Sequence, residues 1–139
     1  MMKELKALVE SHSAKTRPAS ADGIRQLEHR LGFGLSPEYS SFLSTFGVIV
    51  FGATEIYGLG VPDSYYLNVG NAYADLSRDP NYPSNALPLL DAGDGHYYLY
   101  DNQSHKILQW ATPNGGVVRV LDLGLEPFLI SRLFHDNQA

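Results

Sequence analysis

Residues 27–59 read LEHRLGFGLSPEYSSFLSTFGVIVFGATEIYGL, and this stretch decides the fold. Ile24, Leu27 and Leu31 stand at offsets of three and seven, so they share one face of a helix. Gly32 follows where that helix must stop, because a residue without Cβ enters the left-handed cap at no steric cost. A second helix opens at Ser36-Pro37-Glu38. The serine hydroxyl caps free N–H groups, the proline's missing N–H is no loss in a first turn, and the acid complements the helix dipole. Tyr39, Phe42, Leu43 and Phe46 then make an apolar stripe at i, i+3, i+4 and i+7, which Gly47 ends. Residues 48–51 are β-branched and aromatic, Gly52 punctuates them, and Thr54-Glu55-Ile56-Tyr57-Gly58 continues as strand.

Outward from this block the same reading extends in both directions. Leu5, Leu8 and Val9 predict a short amphipathic helix, and 11–21, with Pro18, reads as a polar linker lying over the surface. Val69, Ala72, Tyr73 and Leu76 predict a third helix within 63–79, closed by Asp79-Pro80-Asn81-Tyr82-Pro83, which is too proline-rich to stay helical. Residues 96–101 alternate, with Tyr97 and Leu99 on one face and His96, Tyr98 and Tyr100 on the other. Asp101-Asn102-Gln103-Ser104 supplies a turn into a strand at 106–110, and Asn114-Gly115-Gly116 is a hairpin signal leading into 117–121. Helices, then a run of antiparallel strands, then a closing helix over 125–134 indicate a single α+β domain with a mostly antiparallel sheet packed against several helices. The length of 139 residues agrees with one core.

This order of features resembles the SMI1/KNR4 family, also called the SUKH superfamily. Its typical signature is an acidic helix ending in Leu-Gly, a Leu-Pro-x-x-Tyr-x-x-Phe-Leu helix and a Glu-Ile-Tyr-Gly-Leu strand. The matching residues are Leu27-Glu28 through Leu31-Gly32, then Leu35, Pro37, Tyr39, Phe42 and Leu43, then Glu55-Ile56-Tyr57-Gly58-Leu59. Ser36 stands between Leu35 and Pro37 where the family often reads Leu-Pro directly. Leu87-Pro88-Leu89-Leu90 before Gly93-Asp94-Gly95 looks like the family's central hairpin, with His96 where an acid or polar residue is common. Pro127-Phe128-Leu129 looks like its closing element, with Pro127 in place of the usual acid. The resemblance places the family domain at 20–139, with 1–19 as an N-terminal helix and polar linker. It implies a cytoplasmic, non-catalytic protein-binding domain, first of all a bacterial immunity protein that neutralises a polymorphic or contact-dependent toxin, often a nuclease. The alternative it implies is an intracellular regulatory or scaffolding module with no toxin partner.

Composition narrows the classes independently. The chain has no cysteine, so it has neither a disulfide nor a thiol nucleophile. No apolar run approaches the length of a membrane span, and the first residues are charged and amphipathic, so a cytoplasmic location with no membrane partner is expected. A net charge of −5 disfavours nucleic acid, whose phosphates need clustered Lys and Arg, and favours a more basic protein. The five histidines, His12, His29, His96, His105 and His135, lack metal-ligand spacing. Asp91-Ala92-Gly93-Asp94-Gly95 lacks the later ligands of a calcium loop and reads as a tight turn. No serine sits in a Gly-x-Ser-x-Gly elbow, and no phosphate-binding loop is present. The reading is therefore no enzyme, no cofactor and no metal.

What remains is a surplus of tyrosine beside acids. Nine tyrosines exceed what a core of this size needs, since every buried hydroxyl must find a partner. Asp91, Asp94, Asp101 and Asp122 lie on or near turns in the second half, with Lys106 and Arg119 interleaved. Rigid aromatics ringed by acids make an anchor for a basic partner, and the expected contact set is Glu55, Asp91, Asp94, Tyr98 and Asp101. The same residues also read as ordinary turn aspartates and amphipathic strand tyrosines.

Overall fold

The computed structural model describes residues 2–135. Among them, α1 (Lys3–Ser11) and a short strand β1 (Lys15–Thr16) precede α2 (Ala21–Leu31) and α3 (Pro37–Thr45). Then come β2 (Ile49–Phe51), β3 (Thr54–Ile56), α4 (Val69–Leu76), β4 (Ala86–Gly93), β5 (His96–Asp101), β6 (Ile107–Ala111) and β7 (Gly116–Leu121). The last element is α5 (Leu125–Ile130), which runs into a π-helical turn at Ser131–His135.

The helix ends form as their residues dictate. Ser20, Ser36 and Asn68 accept the N–H groups of Gly23, Tyr39 and Asn71 at 3.0, 3.1 and 3.1 Å. Gly32 closes α2 in the left-handed conformation, φ +83°, with its N–H on the Glu28 carbonyl at 2.9 Å. The third helix is shorter than its pattern, because Asn68 caps it and 63–68 turns instead.

Two antiparallel sheets result, one ordered β1-β2-β3 and one ordered β4-β5-β6-β7. They are joined where the Tyr57 N–H donates to the Leu89 carbonyl at 2.9 Å. The stretch expected to be a polar linker thus contributes an edge strand, with Lys15 opposite Val50 and Thr16 opposite Ile49.

The stripe Tyr39, Phe42, Leu43 and Phe46 lies at the centre of the main apolar cluster, beside Ile49, Ile56, Leu87 and Phe128. Leu5 and Val9 of α1 belong to that cluster, and the Leu5 N–H donates to Glu126 Oε2 at 2.9 Å. On the opposite face of the four-stranded sheet Ala86, Leu99, Leu108 and Trp110 pack with Leu76 of α4 in a second, smaller cluster. Both faces of that sheet are therefore covered over β4, β5 and β6, while Val117, Val118 and Val120 of β7 stay exposed.

Three chain segments meet backbone to backbone under Arg17. A Cβ on Gly47, whose φ is +74°, would lie 1.7 Å from the Arg17 carbonyl oxygen and 2.6 Å from that of Leu59. A Cβ on Gly58 would lie 1.6 Å from the Gly47 carbonyl oxygen. Only bare backbone fits at this junction.

Tyr39 is fully buried and stacks on Tyr100 with ring centroids 5.5 Å apart. Its hydroxyl finds no hydrogen-bond partner among the described residues, and burial holds the phenol well above its ordinary value. A buried donor without an acceptor is a net cost. Tyr39→Phe is accordingly expected to leave stability unchanged or raise it by about 1 kcal/mol. A urea midpoint that falls by an equivalent amount would show that the hydroxyl has a partner.

Candidate functional site

The acids and tyrosines converge where β3, the 62–67 loop, α4 and the β4-β5 hairpin meet. Strand alternation sends Glu55 and Tyr57 to the same side, outward from the core-facing Ile56. Glu55 accepts a hydrogen bond from the hydroxyl of Tyr66, which is 58% exposed on the 62–67 loop. That bond holds the Tyr66 phenol above its ordinary value. Across the hairpin Asp91 stands opposite Tyr97, and its Oδ1 accepts the Gly93 N–H at 2.9 Å, fixing the start of the turn.

Two hollows connect these groups. One of 110 Å³ lies between Glu55, Tyr57, Tyr66 and Asp91. The next, of 180 Å³, is bordered by Tyr57, Tyr66, Asp75 and Tyr97. Burial, then the neighbouring Tyr97, Asp91, Glu55 and Asp75, push the Tyr57 phenol up to about 12. The Tyr97 phenol is raised for the same reasons, burial first and then Asp91 and Asp75. Both tyrosines stay neutral donors next to carboxylate acceptors across the physiological range. Farther along, Asp79 accepts from the Thr112 hydroxyl and the Asn81 N–H, which hold its carboxyl below the usual range. The arrangement is a negatively charged face bordered by phenol groups, a surface that can accept cationic groups.

The expected contact residues are divided by the fold. Glu55 and Asp91 come together on this face, and Asp94 sits exposed at the tip of the same hairpin, φ +54°. Asp101 pairs with Ala86 at the far end of β5, roughly 14 Å along the strand from Tyr97, the residue opposite Asp91. There its carboxylate accepts the Gln103 N–H at 2.9 Å and holds its own turn.

The outward position expected for Tyr98 is corrected. Tyr98 is 8% exposed, lies 5.1 Å from the Phe128 ring and is covered by the Arg132 guanidinium at 5.0 Å. The alternation along β5 is as read, but because both faces of β5 are covered it sends Tyr98 into the main core and leaves Tyr97 half-buried at the surface. Tyr57, Tyr66, Asp75 and Tyr97 were not in the expected set. For Tyr57 the signal was available, since it stands two residues after Glu55 on a strand; Tyr66 and Asp75 arrive through tertiary placement.

A SUKH family model described as SMI1-KNR4 cell-wall matches residues 21–129, from the start of α2 into α5. The span includes every acid and tyrosine of the face described above. No curated protein gives a significant match to the chain.

Proposed function

We propose, starting from the fact that this chain belongs to the SMI1-KNR4 (SUKH) family, that it is an immunity protein: a non-catalytic domain that binds a more basic toxin and neutralises it by covering its active site. The observation that carries this reading is the convergence of Glu55, Asp75 and Asp91 around Tyr57, Tyr66 and Tyr97. A nuclease toxin must hold phosphate with clustered Lys and Arg, and an acidic face with neutral phenol donors is complementary to such a cluster. Glu55, Asp91 and Asp94 are the members of the expected set assigned to the contact. Tyr66 replaces Tyr98 as the aromatic anchor, because it is exposed and its ring is oriented by Glu55. Asp101 lies outside the contact.

The test starts from the gene neighbourhood: where a large secreted protein with a variable C-terminal domain is encoded beside this gene, that domain is the toxin to use. Co-expression is expected to restore growth of cells making that domain, and the purified pair is expected to associate faster at low salt. Glu55→Gln with Asp91→Asn should lower the association rate severalfold and flatten its salt dependence, while Tyr66→Ala should raise the dissociation rate about tenfold or more. Binding indifferent to these three positions and to salt would place the interface elsewhere. A gene neighbourhood with no toxin, together with a stable complex with a housekeeping protein, would move the reading to the regulatory or scaffolding alternative.

A further inference from the structure

The turn that carries Tyr65 and Tyr66 separates two surfaces of opposite chemistry, with the two rings 4.8 Å apart. Tyr66 borders the acidic face. Tyr65 borders a groove of 320 Å³ on the outer side of the three-stranded sheet. The floor of this groove is Val48, Val50 and Leu67, with Val61 and Pro62 as one wall. Val48 and Leu67 are only 4% and 2% exposed, so the floor is firmly packed from beneath.

The opposite rim is cationic. Lys15 and Arg17 both line the groove and both are exposed. Among the described residues the ion pair is Arg25 with Asp22, and neither Lys15 nor Arg17 has a carboxylate partner. The Arg17 guanidinium donates only to the adjacent Thr16 carbonyl, at 2.8 Å. Lys15 stands opposite Val50 on the edge strand, and the Arg17 N–H continues the pairing with a 2.8 Å bond to the Phe46 carbonyl. Two residues apart on extended backbone, the two cations point to the same side of the sheet, about 6.8 Å from one another along the chain. Carboxylates on alternate residues of an extended peptide have that same spacing. The intervening side chains of such a peptide then point the other way, across the groove to the apolar wall of Val61 and Pro62, while its backbone lies over the floor.

We propose that this groove docks an extended segment of a partner protein in which carboxylates alternate with apolar residues, the carboxylates meeting Lys15 and Arg17 and the apolar side chains seating against Val61 and Pro62. This goes beyond the immunity reading and does not rest on it, since it concerns the other side of the Tyr65–Tyr66 turn and a segment of opposite charge.

The experiment titrates the ¹⁵N-labelled protein with a short capped peptide of alternating Glu and Leu. Shift changes are expected at the amides of Val50, Val61 and Leu67, saturating and weakened by salt. Lys15→Glu with Arg17→Glu should weaken binding about tenfold, as should replacing Glu by Gln in the peptide, an arm that leaves the protein's fold untouched. Three results would overturn the proposal: no shifts at millimolar peptide, shifts confined to another surface, or affinity unchanged by both the double variant and the Gln peptide. Dodecanoate displacing the peptide and binding more tightly would also overturn it, by assigning the groove to fatty acids.

Discussion

Gly47→Ala is expected to abolish the folded state, while Gly32→Ala leaves the domain folded. Both glycines have left-handed backbone, φ +74° and +83°, so the conformational cost of a side chain is common to the two. That cost is about 1–2 kcal/mol. The surroundings differ. Nothing lies within 4 Å of a Cβ added to Gly32, whereas one added to Gly47 would overlap the backbone of Arg17 and Leu59. Relief at Gly47 requires parting the α3-β2 turn from both the segment after β1 and the end of β3, since no flexible side chain is present to yield. A loss of more than about 4 kcal/mol follows, which is comparable with the whole stability of many domains. Guanidinium unfolding of the two variants checks it. Equal small losses would mean that the junction is loose enough to breathe.

Phe42→Ala carries the second large effect. Phe42 is fully buried in the middle of the stripe, with ring centroids 5.7 Å from Tyr39 and 6.0 Å from Phe46. Removing the ring forfeits its transfer free energy and leaves a cavity that neighbours on α3 cannot fill without shifting the helix. The expected cost is about 3–5 kcal/mol. A measured loss below about 1 kcal/mol, at unchanged denaturant slope, would show that the stripe is not the centre of the core.

What could be read in advance was what is decided locally. Ser36, Pro37 and Gly32 act within one turn of the helix they bound, so their positions fix α2 and α3 without any knowledge of the rest. The edge strand at Lys15 and Thr16 has no such signature. Two residues carry no periodicity, and its existence depends on backbone groups offered by β2. The candidate face shows the same divide. Glu55 and Asp91 could be chosen as exposed acids on strand and turn, yet their meeting depends on the Tyr57–Leu89 hydrogen bond that joins the two sheets. The outward reading of Tyr98 fails because a strand pattern reveals that two faces exist but not that both are covered along β5: α5, through Phe128, packs on the face of Tyr98, and α4 with the 79–82 segment packs on the other.

The bond from the Leu5 N–H to Glu126 has a consequence for synthesis. The N-terminal turn of α1 has no side-chain cap of its own, and the acceptor that serves it is 121 residues away. Leu5 and Val9 likewise seat in a cluster that is finished by Leu125, Phe128, Leu133 and Phe134. A ribosome delivers the N-terminal half first, at about 5–20 residues per second, so this greasy surface waits several seconds for its cover. During that interval the nascent chain is a client for chaperones and a target for proteases. Slow codons between α1 and α5 would lengthen the exposure, and fusing a fast-folding carrier upstream would not shorten it.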